Sequence, residues 1–172
     1  MGRIVGVAAL AGAAPPSVHA AEDNTIQLAL IGCGGRGTGA ASQALSVKNG
    51  PTRLVAMADV FMDRVKAKRE VLRKQAPKQV HVDDDHCFAG FDGYKHVIEA
   101  SDVVLIANAA KFHPLHSYAA LQAGKHVYCE KPIALTVADA EAMVEACKDV
   151  ATVVNLSMRR DPSHRHLKKL LE

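Results

Sequence analysis

The residues best suited to chemistry are a cluster of glycines, Gly32-Cys33-Gly34-Gly35-Arg36-Gly37, and an acid, Asp59, which stands 22 positions beyond the last of them. Glycine at the first position permits a tight turn. At the second it lets backbone approach a bulky anion, and at Gly37 it lets a helix pack close to a strand. An acid at this remove can accept hydrogen bonds from a ribose 2′-hydroxyl and would repel a 2′-phosphate. Three elements must position these groups. An apolar strand, Ile26 to Ile31, leads into the glycines; a small-residue helix, Thr38 to Val47, leaves them; a second apolar run, Leu54 to Ala58, delivers Asp59. A helix beginning at the end of a strand aims the positive end of its dipole at a bound phosphate. Glycine-rich turns also serve close packing alone, but strand, turn, helix, strand and acid in this order predict a dinucleotide site that prefers NAD to NADP.

A second candidate is Glu130-Lys131-Pro132, which follows the apolar run His126 to Cys129. Ligands of open α/β sheets bind beyond the carboxyl ends of the strands, where a lysine can hydrogen-bond a substrate hydroxyl and help move its proton. A lysine in a surface loop reads the same way, so residue type alone leaves both open. Other clusters are weaker. Asp83-Asp84-Asp85-His86-Cys87 holds consecutive ligand-type side chains that cannot all face one ion, and it reads as a solvated loop. His113 and His116 have a helical spacing but no carboxylate or thiolate partner nearby, and no metal site is predicted. Cys33, Cys87, Cys129 and Cys147 fall in separate elements with no CxxC pair; Cys33, Cys129 and Cys147 read as small buried hydrophobes, and no structural disulfide is predicted.

Around these groups, short apolar runs alternate with amphipathic segments. Strands are predicted over 26–31, 53–58, 103–107, 126–129 and 153–156. Helices are predicted over 38–47, 62–74, 94–99, 114–123 and 137–148. The strands are apolar throughout rather than alternating, as a parallel sheet covered on both faces requires. The fold class is therefore α/β, a doubly wound parallel sheet. Gly124 stands where a helix C-cap glycine belongs, and Asp139 and Glu141 sit near the start of the last of these helices. The basic residues between Arg64 and Lys74 read as a solvated face, and 77–93 as one long irregular stretch.

Composition narrows the classes further. A chain of 172 residues supports one domain with a sizeable core. A net charge of +3, scattered along the sequence, gives no footprint for nucleic acid. Aromatics at 4%, with no Trp, supply base-stacking surfaces poorly. Arg3, the apolar run Ile4 to Ala14 and Val18-His19-Ala20 read as a signal peptide over 1–20, too short to span a membrane. The expectation is an exported, periplasmic protein with no membrane association once the leader is removed. No second arginine marks a twin-arginine route.

The run Ala123-Gly124-Lys125-His126-Val127-Tyr128-Cys129-Glu130-Lys131-Pro132, following the glycine cluster at this distance, resembles the glucose–fructose oxidoreductase/inositol dehydrogenase/MocA family. Cys87-Phe88-Ala89-Gly90-Phe91-Asp92-Gly93-Tyr94-Lys95 and Arg159-Arg160 are similar to its exported members. The resemblance implies an NAD(P)-binding Rossmann domain over 21–158, with 159–172 opening a second α/β domain that covers substrate. It implies that Gly32, Gly34, Gly35, Arg36 and Gly37 hold the pyrophosphate and that Asp59 holds the adenosine ribose. Asn108, His113, Glu130 and Lys131 would lie near the cofactor, Lys131 as the catalytic residue. The implied activity is hydride transfer between NAD and a sugar, cyclitol or related polyol, by a homo-oligomer at full length. Two departures stand out. Asn108-Ala109-Ala110 replaces the family's Thr-Pro-Pro or Thr-Pro-Asn, which leaves that turn less fixed. The His and Asp of the second domain are not found before Glu172, so this chain alone is expected to be inactive. The competing class is a non-catalytic nucleotide-binding fragment or degenerate paralogue. A methyltransferase on the same fold would give Glu130-Lys131-Pro132 no purpose.

Overall fold

The structure, a computed structural model, describes residues 24–156. The leader read at 1–20, Arg159-Arg160 and the rest of the segment 159–172 lie outside those residues. Six strands form one parallel sheet: β1 (Ile26–Ile31), β2 (Thr52–Asp59), β3 (Cys87–Ala89), β4 (Val103–Ile106), β5 (His126–Glu130) and β6 (Thr152–Asn155). Their order across the sheet is β3-β2-β1-β4-β5-β6. Chain direction across the sheet reverses between β1 and β4, which is where ligands of doubly wound folds sit.

Side chains alternate between faces along a strand, so an apolar run feeds two cores. Leu28, Leu30, Leu54 and Met57 pack under α1 (Gly35–Leu45) and α2 (Met62–Gln75), with Ala41, Leu45, Val65 and Leu72. Ala29, Ile31, Ala56, Ala58, Val104, Ile106, Val127 and Cys129 pack under α3 (Gly93–Glu99), α4 (His113–Gln122) and α5 (Val137–Ala146). The β1–β2 register slips by one residue between Leu28 and Ala29, which keeps both apolar sets on their faces despite a bulge in β2.

Several boundaries differ from the expectation. The first helix starts at Gly35, so Arg36 and Gly37 lie in its first turn, after an N-cap Gly34 that offers no side-chain cap. The stretch read as irregular contains β3, whose three residues pair with Met57 to Asp59. A strand this short at a sheet edge carries too little hydrophobic pattern to read. A 3-10 turn, Ala110–Phe112, precedes α4. The basic face of α2 is not wholly solvated, because Arg69 is buried and donates to Asp84 at 2.6 Å. Asp83 accepts from the backbone N–H of His86 at 3.0 Å, so the acidic loop is folded by its own side chains. Gly124 adopts φ +69 after α4, as its C-cap reading requires. At the start of α5, the Thr136 hydroxyl accepts from the Asp139 N–H at 3.1 Å and donates to its carboxylate at 2.7 Å. The four cysteines are free. No helix among the described residues is long and apolar enough to cross a membrane.

Candidate functional site

The glycine turn is built by close approach. Gly32 has φ +96, and a Cβ there would stand 2.5 Å from the Asn108 N and 2.7 Å from the Ala107 carbonyl carbon. The turn therefore lies against the backbone that leaves β4. A Cβ on Gly37 would run into the Gly32 carbonyl oxygen, so this glycine brings α1 onto the end of β1. Gly34 and Gly35 differ: nothing lies within 4 Å of a Cβ at either. That open space faces the first turn of α1, whose N–H groups have no side-chain cap.

Beside this turn lies a cavity of about 330 Å³, walled by residues from the carboxyl ends of β1, β2 and β4 and from the turn after β3. Of the residues expected to hold cofactor, Gly32, Gly34, Asp59 and Asn108 line it, together with Arg64, while Gly35, Arg36 and Gly37 do not. Asp59 has a side chain only 7% exposed. Its carboxylate accepts from the N–H of Cys33 at 2.8 Å, the N–H of Phe61 at 3.2 Å and Arg64 at 3.3 Å. A carboxylate offers about four lone-pair sites, so one remains for a further donor. Arg64 also lies over the Phe61 ring, 4.9 Å from its centroid.

Aromatic supply is the feature that sequence reading underrated. Four of the seven Phe and Tyr residues, Phe61, Phe91, Tyr94 and Phe112, converge on this cavity. A low total does not preclude a stacking surface, because more than half of it is spent in one place. Phe61 was signalled by its position two residues past Asp59, and Phe91 and Tyr94 by exposed aromatic types in a glycine-rich turn. Phe91 faces Phe112 at 5.8 Å, and His116 stacks on Tyr94 at 4.3 Å.

The turn after β4 is well tied despite its missing prolines. The Asn108 carbonyl meets His113 Nε2 at 3.0 Å, and Asn108 Nδ2 meets His116 Nδ1 at 2.9 Å. Burial, and then the electrostatic influence of His113, lower the His116 pKa to about 4. His116 is therefore a neutral acceptor at Asn108. His113 is buried, with its other nitrogen 2.7 Å from the Pro132 carbonyl, so it links two turns and does not line the cavity. Asn108 Oδ1 is buried without a partner among the described residues.

Glu130, Lys131 and Arg36 gather elsewhere, in a separate depression of about 330 Å³ completed by Gln43 and Asn155. Glu130 ends β5 and is buried, while Lys131 is exposed. Burial acts to raise the Glu130 pKa, but hydrogen bonds from Asn155, Arg36 and Tyr128 outweigh it and hold the carboxyl below its ordinary range. No group of three or more His, Cys, Asp or Glu that could hold a metal occurs among the described residues.

A dinucleotide fits the cavity side of this arrangement. Space stands where Gly34 and Gly35 lack side chains, helix N–H groups are uncapped, an acid with a spare lone pair sits in the wall, and the orphaned Asn108 Oδ1 can accept a donor.

Comparison with known proteins agrees. Residues 26–157 match the oxidoreductase family described as having an NAD-binding Rossmann fold, Gfo/Idh/MocA. An inositol 2-dehydrogenase of Klebsiella pneumoniae subsp. pneumoniae is 31% identical over 153 residues, covering 86% of this chain and 42% of that protein. The crystal structure of a myo-inositol 2-dehydrogenase from Lactobacillus plantarum superimposes with a TM-score of 0.66 at 24% identity, covering 86% of this chain and 41% of that one. A 3-ketoreductase from Actinomadura kijaniata, in complex with TDP-benzene and NADP, gives a TM-score of 0.66 at 24% identity, covering 86% and 44%. The chain spans 21% to 42% of the length of the first curated relatives it matches.

Proposed function

The chain belongs to the Gfo/Idh/MocA oxidoreductase family, with an NAD(P)-binding Rossmann domain, and from that premise we propose that it is the nucleotide-binding part of an NAD-dependent oxidoreductase acting on a sugar, cyclitol or related polyol. The observation that carries the NAD preference is Asp59. Its carboxylate lies in the cavity wall beside the glycine turn with one acceptor site open, which suits a ribose hydroxyl and opposes a phosphate. Arg64 on the same carboxylate softens that opposition without removing it. The inositol dehydrogenases among the relatives support the polyol reading.

When bound, the nicotinamide cofactor supplies the hydride chemistry. This chain's residues do the rest. The uncapped N–H groups of α1 and the open side of Gly34 and Gly35 hold the pyrophosphate, and Asp59 orients the adenosine ribose. Phe61, Phe91 and Phe112 wall off water around the adenosine end. Lys131, just past the carboxyl end of β5, hydrogen-bonds the substrate oxygen, gives it a proton when the carbonyl is reduced and takes that proton back when the alcohol is oxidised. The region past residue 158 would open the part of the protein that covers substrate and completes a homo-oligomer. The leader at 1–20 supports export to the periplasm, which N-terminal sequencing of a periplasmic fraction would test.

The deciding experiment is parallel titration with NADH and NADPH, followed by assay of the full-length protein on a polyol panel. Tighter binding of NADPH would sink the NAD assignment. Cofactor binding without hydride transfer to or from any polyol would reduce the proposal to a nucleotide-binding module.

A further inference from the structure

Arg36 sits in the first turn of α1, yet its guanidinium leaves the glycine turn and crosses to β5. Nε donates to Glu130 Oε1 at 2.5 Å and Nη2 donates to the Tyr128 hydroxyl at 2.8 Å. The Tyr128 hydroxyl donates to the same Glu130 oxygen at 3.1 Å, and Asn155 Nδ2 donates to it at 2.8 Å from β6. Three donors therefore converge on one oxygen of a carboxylate whose side chain is 8% exposed. Lys131 is the next residue. None of these groups lines the cavity of Asp59.

We propose that Arg36 is a positioning residue that fixes the Lys131 turn through Glu130, and is not a ligand of the cofactor pyrophosphate. The inference rests on the dinucleotide reading of the cavity. For Arg36 to reach a phosphate, it would have to abandon a nearly buried carboxylate and leave that charge poorly compensated. The phosphate has no such need, because the uncapped N–H groups of α1 already face the open side of the turn. The planar guanidinium serves Glu130 and Tyr128 at once, which a single ammonium cannot do. The phosphate-binding end of α1 and the lysine that meets substrate thus form one rigid assembly, held by a side chain from the glycine motif itself.

The test uses Arg36→Met, Glu130→Gln and the double variant in the full 172-residue chain. Three quantities are read: NADH affinity by fluorescence, urea stability, and the acetylation rate of Lys131 relative to Lys74, an exposed lysine of α2. Arg36→Met is expected to keep NADH affinity within about threefold. Both single variants should shift the relative acetylation of Lys131 by more than about threefold, and the double variant should add little to either. Arg36→Lys guards against simple unfolding: it should bind NADH normally and still show altered Lys131 acetylation. Arg36→Met weakening NADH about tenfold or more, with Glu130→Gln unaffected, would make Arg36 a phosphate ligand and overturn the proposal. Unchanged Lys131 acetylation in both single variants would overturn it as well. Failure of the wild-type chain to bind NADH would sink the dinucleotide reading, while the acetylation and coupling measurements would still judge the tie.

Discussion

Two alanine substitutions in the glycine turn should fail in opposite ways. Gly32→Ala places a Cβ 2.5 Å from Asn108 N and 2.7 Å from both Ala107 C and Asn108 Cα, all of them backbone atoms. Reaching even a tight 3.0 Å contact requires about half an ångström of separation between the ends of β1 and β4, in a close-packed region. The Ala107 N–H donates to the Ile31 carbonyl at 2.9 Å just there, so the strands cannot part without loss. Overpacking of this kind costs about 1–3 kcal/mol. Forcing alanine to φ +96 adds roughly 1–2 kcal/mol. The combined loss of about 2–5 kcal/mol is a large part of a stability that typically lies near 5–15 kcal/mol. Gly34→Ala meets nothing within 4 Å and keeps a negative φ, so it should cost only about 0.5–1 kcal/mol, as a poorer N-cap. Its methyl group would instead intrude on the space left for pyrophosphate, weakening NADH about tenfold or more, which is at least 1.4 kcal/mol. Urea unfolding and NADH titration of both variants separate these effects. A Gly32→Ala chain within about 0.5 kcal/mol of wild type would refute the packing argument. A Gly34→Ala chain that binds NADH normally would refute the placement of the phosphates.

In the full-length enzyme, Lys131→Ala should lower turnover by about a hundredfold to ten-thousandfold with NAD affinity intact; turnover near wild type would make Lys131 only a loop residue. Arg64→Ala should weaken NADPH more than NADH, since it removes positive charge beside Asp59; equal loss for both cofactors would assign Arg64 to general packing over Phe61. His116, whose pKa falls from 6.5 to about 4 on folding, binds protons more readily in the unfolded chain between those values. Stability should therefore decline as pH falls from about 6.5 towards 4, and His116→Gln should flatten that decline in pH-dependent thermal melts. Thr136→Ala should cost about 0.5–2 kcal/mol by removing the cap of α5, read by urea unfolding.

Much of this architecture was legible because it is written in local pattern. The apolar strands before Gly32 and Asp59 could only be buried on both faces, and the glycine spacing carried its own geometry. What escaped the sequence is carried by distant pairs. Arg36 reads as part of a phosphate motif, yet its partners Glu130 and Tyr128 lie more than ninety positions away and meet it only because β5 lies beside β4 in the sheet. Arg69 reads as one of many solvated bases until the chain returns with Asp84. The Asn108 turn lacks the prolines that would fix it locally, and is instead secured by His113 and His116 from the following helix. The aromatic wall was hidden by arithmetic, since composition counts rings and not where they gather.

The sheet order has a mechanical consequence. β2 and β3 lie to one side of β1, and β4, β5 and β6 to the other, so the domain is two half-sheets joined along the β1–β4 ladder and beneath the crossover helix α3. The cavity straddles that seam: Asp59, Phe61 and Phe91 come from one half, Asn108, Phe112 and His116 from the other. A ligand held there acts as a cross-brace, adding a second connection in parallel with the ladder. At about a hundred times its Kd it would add roughly 2.7 kcal/mol to the stability of the folded state. That gain would be felt on both sides of the seam at once, slowing amide exchange in β2 and β5 together although the two strands never touch.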